Sequence, residues 1–152
     1  MKDFAEYNKG NVYFAYPHNW TIQESEPDDE LRIISVDSPE GSFWSLVIYP
    51  QETDPDLAAK EVLRLMNDEY KDCESSEAHR IIGERFLTGY EINFFYLDLT
   101  STAIVLGFEE GNQTYVVYWQ TCDRMALTNE KLSQEEVFEA ITYTFLNNLK
   151  KH

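Results

Sequence analysis

The chain has 152 residues, 43% of them hydrophobic and 14% aromatic, enough for one domain to bury a core without disulfide or metal staples and too apolar for disorder. Its net charge of −16 repels phosphate backbones and anionic lipid, which speaks against nucleic acid and membrane surfaces and leaves basic proteins or cations as charged partners. No apolar run reaches the length of a membrane span, and residues 1–6 lack the apolar centre of a secretory leader. The sequence therefore reads as cytoplasmic, or as exported if a leader was trimmed.

Residues 12–16, Val-Tyr-Phe-Ala-Tyr, predict a strand ended by Pro17, which cannot donate to a ladder, with Trp20 folding back over the sheet. Residues 24–30 carry five acids, Glu24, Glu26, Asp28, Asp29 and Glu30, and read as a solvated loop. Residues 31–36 and 43–49 flank Ser38-Pro39-Glu40-Gly41, where Pro presets φ and Gly accepts a reversed turn, so they make a hairpin.

Asp54-Pro55-Asp56 predicts a helix start, with an N-cap acceptor, Pro at the first helical position and an acid at the positive end of the dipole. At 100° per residue, Ala58, Val62, Leu65 and Met66 form its buried stripe, and Lys60, Arg64, Asn67 and Asp68 face solvent. Residues 71–77 are polar and read as loop, and residues 78–82 as a short strand closed by Gly83.

Residues 90–98, 102–109 and 113–121 are strand-sized, rich in β-branched and aromatic residues, and apolar at both parities. Such strands are buried on both faces. Glu110-Gly111-Asn112 supplies the φ > 0 positions of a tight reversal, so the three form an antiparallel meander. Residues 125–131 show no period and read as loop. Ser133-Gln134-Glu135-Glu136 has the form of a capping box, with Leu132 and Val137 placed as a hydrophobic staple. On that reading a last helix starts at Ser133, Ser133→Ala costs about 1 kcal/mol, and Val137, Phe138, Ile141 and Phe145 form the buried stripe. The sum is an α+β fold: seven strands in a mostly antiparallel sheet with one helix on each face.

The stretch Phe14-Ala15-Tyr16-Pro17-His18-Asn19-Trp20, the Ser38-Pro39-Glu40-Gly41 hairpin, the helix after Asp54, Gly83 and Gly89 before the meander, and the capped final helix together resemble the PsbP-like superfamily. That group takes in the photosystem II extrinsic protein PsbP, the Ran-binding Mog proteins and the DcrB-like bacterial proteins. The resemblance spans nearly the whole chain. It implies an α/β/α sandwich used mainly to bind other proteins, with no shared catalytic residues. PsbP and DcrB relatives are usually exported or lipid-anchored, whereas no leader is visible here.

Three histidines, His18, His79 and His152, are few for an enzyme site, and the polar residues between Cys73 and His79 supply no group to orient a thiol dyad. Cys73 and Cys122 form no Cys-x-x-Cys pair and are expected to be reduced and unlinked. The acids at 24–30 lack the alternating spacing and central Gly of a calcium loop. Neither catalytic residues, nor a cofactor, nor a resident metal is therefore expected.

Two functions remain. The first is a non-enzymatic protein-binding module for a basic or amphipathic segment; the alternative is a small-ligand or cation binder using the acidic loop 24–30. A helix about 10 Å wide covers roughly two strands spaced about 4.8 Å apart, so two helices leave part of a seven-strand sheet bare. The expected partner surface is an aromatic patch near Trp44, Tyr49 or Tyr118, rimmed by Glu24, Asp28 and Asp29.

Overall fold

The computed structural model describes residues 4–25, 31–50, 53–69, 73–96, 99–122 and 130–149. In chain order these form β1 (Phe4–Lys9), β2 (Val12–Pro17), β3 (Thr21–Glu24), β4 (Arg32–Asp37), β5 (Phe43–Tyr49), α1 (Pro55–Glu69), β6 (Glu74–Ile82), β7 (Arg85–Tyr96), β8 (Leu99–Glu110), β9 (Gln113–Cys122) and α2 (Glu130–Leu149). β1 and β2 pair as a separate ribbon, and the other strands form one antiparallel sheet in the order β3-β4-β5-β9-β8-β7-β6. The mostly antiparallel α+β class expected from the sequence is present. Among the described residues no helix is long and apolar enough to cross a membrane.

Strand alternation sorts the apolar residues into two clusters. Trp44, Leu46 and Ile48 of β5 and Val117 and Trp119 of β9 share one cluster with Phe138, Ile141 and Phe145 of α2. The intervening Val47 and Val116 belong to the other, with Val105 of β8, Ile92 of β7, and Ala58 and Ala59 of α1. This double use of β5 and β9 is why both parities of these strands are apolar.

The ribbon completes the Trp44 side of the sheet. Phe14 of β2 lies 4.9 Å from the Trp44 ring and 4.9 Å from that of Tyr7, and the Ala15 amide donates to Thr144 Oγ1 of α2 at 2.9 Å. Gly10-Asn11 joins the two strands with φ of 56° and 66°, nearly repeating Gly111-Asn112 at 56° and 68°. The same dipeptide makes the same tight reversal twice.

α1 starts as its sequence predicts: Asp54 Oδ1 accepts from the Asp56 amide at 2.9 Å, and Asp54 O accepts from the Ala58 amide at 3.0 Å. Its inner face is rotated from the expected stripe. Ala58 and Ala59 are buried while Leu65 is 55% exposed, and the Met66 side chain lies outside the described residues. The cause is close approach, because a Cβ built on Gly107 of β8 would meet the Pro55 carbonyl oxygen at 2.4 Å and Ala59 Cβ at 3.5 Å. Only small residues fit at this contact.

Several expectations need correction. β1 and β3 add to the seven strands expected, and β6 begins at Glu74 inside the supposed 71–77 loop. β6 is a sheet edge bonded to β7 alone, so it needs no apolar alternation to form. Ser133 is not an N-cap but lies within α2, which already includes Glu130. An N-cap requires non-helical φ and ψ, and Glu, Lys and Leu before Ser133 are good helix formers that carry the helix past it. The expected cost of Ser133→Ala loses its basis. Of the loop expected at 125–131, residues 125–129 lie outside the described residues, and Glu130 and Lys131 are helical.

Candidate functional site

On the sheet face that meets α1, alternation places Ile33 opposite Val47 and Ser45 opposite Tyr118. α1 runs beside these residues without covering them all. Leu31, Ile33, Val47, Tyr49 and Tyr118 from the sheet, with Val62 and Leu65 from α1, line a groove of about 240 Å³. Among the described residues, Glu61 of α1 is the one ionisable side chain in that lining besides the tyrosines. Burial raises the pKa of Tyr49 above the ordinary phenol value, and the Glu61 carboxylate adds to the shift. Tyr49 therefore meets the groove as a neutral hydrogen-bonding group.

The same face continues past the groove. Phe43 stands edge-on to Tyr118 with ring centroids 5.8 Å apart, and the Ser35 and Ser45 hydroxyls are bonded at 2.7 Å. Beyond them Asp37, the cross-strand partner of Phe43, has its pKa raised by burial. A carboxyl whose folded pKa is raised favours folding below its unfolded pKa, and that contribution is lost as pH rises through the folded value. Charged Asp37 is then a cost at neutral pH. Asp37→Asn is expected to raise the melting temperature slightly at neutral pH and not below the carboxylate range; a lower value at neutral pH would contradict this.

Of the residues predicted for the site, Tyr49 and Tyr118 come together. Trp44 does not join them: it is fully buried on the other side of the sheet, where its Nε1 donates to Thr142 Oγ1 of α2 at 2.9 Å. It is a core residue and offers no surface to a partner. Glu24 is also on that other side, as its pairing with buried Ile34 requires. Tyr7 Oη donates to Glu24 at 2.5 Å and Lys9 Nζ at 3.2 Å, so this carboxylate is engaged in fastening β1 to β3. The Tyr7 bond is the main reason its pKa is lowered. Asp28 and Asp29 lie outside the described residues, and among the described residues Glu61 is the acid that edges the groove.

Leu31, Ile33, Val62, Leu65 and Glu61 were missed as site residues. Their signal was the apolar surplus on both parities of the sheet beside a helix too narrow to cover it. The imagined thiol dyad is not assembled in a way that suggests chemistry. Cys73 packs against the cluster beneath α1, whereas exposed His79 lies against Phe86 with centroids 5.2 Å apart. Near the start of α1, Tyr90 Oη donates to Asp56 Oδ1 at 2.6 Å. That bond, with burial, pushes the Tyr90 pKa up to about 12. The described residues contain no group of three or more His, Cys, Asp or Glu side chains placed to hold a metal.

No family model matches the chain, and no curated protein matches it.

Proposed function

We propose that this protein is a non-enzymatic binding module that takes a basic, amphipathic segment of another protein into the groove between α1 and β4-β5-β9. The reading keeps the PsbP-like three-layer arrangement, with a helix on each face of the sheet. The observation that carries it is the lining: Tyr49 and Tyr118 beside Leu31, Ile33 and a half-exposed Leu65. Tyrosine offers contact area at low entropic cost and is enriched where proteins meet, while the leucine and isoleucine side chains beside it add apolar surface to bury. Glu61 and the net charge of −16 favour a cationic occupant and speed its encounter. Among the described residues the groove lining includes no nucleophile paired with a base, which supports recognition as its role.

The test uses a synthetic amphipathic peptide of leucine and lysine, titrated by calorimetry at low and high salt. Leu65→Glu and Tyr118→Ser, changes in partly exposed side chains, are expected to weaken binding about tenfold or more. Salt should weaken it less steeply than it weakens a scrambled peptide of equal charge. Equal affinity for the scrambled peptide, or no loss in either variant, would overturn the proposal.

A further inference from the structure

Arg32 opens β4 beside the turn of the ribbon, and neutral acceptors hold its guanidinium there. Nη1 donates to Gly10 O at 2.9 Å, and Nη2 donates to Lys9 O at 2.9 Å and to Tyr7 Oη at 2.8 Å. Arg64, Arg80 and Arg85 instead lie 3.3, 3.9 and 3.2 Å from a carboxylate. Among the described residues Arg32 forms no such pair, and Glu24 meets it only through the Tyr7 hydroxyl. In a chain with 28 Asp and Glu against 12 Lys and Arg, that makes Arg32 an exception. A guanidinium has five N–H donors, and these three bonds leave part of that capacity unused.

Arg32 also lines a cavity of about 280 Å³ between the ribbon turn, the ends of β5 and β9, and the last turn of α2. Ile48, Tyr115 and Phe145, all members of the cluster beneath α2, supply its apolar side. Gln113 adds a polar one. Its Oε1 accepts from the Tyr115 hydroxyl at 3.0 Å, which leaves the amide nitrogen of the same side chain as a donor. Among the described residues the lining holds no carboxylate. The cavity shares Leu31 with the peptide groove and otherwise belongs to the α2 side of the sheet.

We propose that this cavity binds a small monocarboxylate with an apolar body, its charge at Arg32 and Gln113 and its body against Tyr115 and Phe145. A guanidinium already fixed by the ribbon gives a charge-assisted bond without the cost of ordering a free side chain. Two features select this class over other anions. The net charge of −16 repels multiply charged ligands such as phosphates, and Leu149 brings the negative end of the α2 dipole to the cavity. Charge alone therefore does not hold the ligand, and apolar burial has to contribute. Size sets the other bound: about 280 Å³ is the volume of roughly nine waters, which suits a compact acid and excludes a nucleotide.

Phenylacetate, phenylacetamide and phenethylamine, alike in size and different in charge, test the site when titrated into isotope-labelled protein followed by NMR. Phenylacetate should shift the amides of Gly10, Asn11, Gln113 and Tyr115 and bind at least about tenfold tighter than the amide. Gln113→Glu keeps the acceptor for Tyr115 and places a negative charge in the lining. It should weaken phenylacetate at least about tenfold and leave phenylacetamide within about twofold. Arg32→Gln should abolish the preference for the acid; should it loosen the ribbon, Gln113→Glu still decides. The proposal is overturned if the amide or the amine binds as tightly as the acid, or if Gln113→Glu leaves phenylacetate affinity unchanged. Shifts centred on Tyr49 and Tyr118 overturn it too, as does the lack of saturation by about 10 mM, a concentration at which even weak ligands of this size bind. None of these readouts depends on the peptide groove.

Discussion

Trp44→Ala is expected to reduce the free energy of unfolding by about 3–5 kcal/mol, the usual range for emptying a large aromatic site in a packed core. Trp44 is fully buried where sheet, ribbon and α2 meet, with Phe14 at 4.9 Å and Trp119 opposite it on β9. The cavity would lie between three layers that cannot all close on it. The indole also donates to Thr142 Oγ1, whose own hydroxyl donates to Phe138 O at 2.8 Å. Trp44→Phe keeps most of the ring and loses that donor, so about 1–3 kcal/mol of the penalty should remain. Urea denaturation of both variants measures the two parts. A cost for Trp44→Ala below about 1 kcal/mol, typical of a surface change, would mean that the layers do not meet here.

Gly107→Ala is expected to destabilise by about 1–3 kcal/mol, because an added methyl in a closed contact forces backbone to move. The obstacle is the Pro55 carbonyl in the first turn of α1, which cannot rotate away as a side chain could. Relief requires α1 to lift. Gly111→Ala is the control, since Gly111 has open space around its Cβ direction but a φ of 56°, costing roughly 1–2 kcal/mol through backbone strain alone. Hydrogen exchange separates the causes: Gly107→Ala should loosen the α1 amides ahead of the sheet, and Gly111→Ala should not. Uniform loosening in both variants would remove the close-contact explanation.

How much of this was legible in the sequence depended on whether a residue's signal was local. Asp54 and the Ser38 hairpin announce themselves because their bonds lie within a few residues, as in the Ser42 amide donating to Ser38 Oγ at 3.1 Å. The doubly buried strands were readable from their two-sided apolar pattern. β3 was not, and of β6 only residues 78–82 were, because an edge strand has one bonded neighbour and no obligation to alternate. Ser133 shows the opposite failure. Its local pattern is good, but the preceding residues favour helix just as strongly, and a cap exists only where the helix stops. For Trp44, two-sided burial hid which face would be bare. The ribbon shields the Trp44 side, leaving the Tyr49 and Tyr118 side beside α1 as the accessible one.

The order β3-β4-β5-β9-β8-β7-β6 has a consequence for how the chain reaches this state. Every neighbouring pair in it is consecutive along the chain except β5 and β9. Two blocks can therefore assemble by hairpin zipping, while the seam, with Trp44 opposite Trp119 and Val47 opposite Val116, must wait for distant segments to meet. Closing the long intervening loop carries the entropic cost that makes non-local pairing slow. The seam is then the folding bottleneck: substitutions at Val47 or Val116 should slow folding, whereas those in β3 should mainly hasten unfolding. A break in the backbone between β5 and α1 would leave two fragments, each retaining its own hairpins, with the β5–β9 seam and the contact of the ribbon with α2 to rebuild.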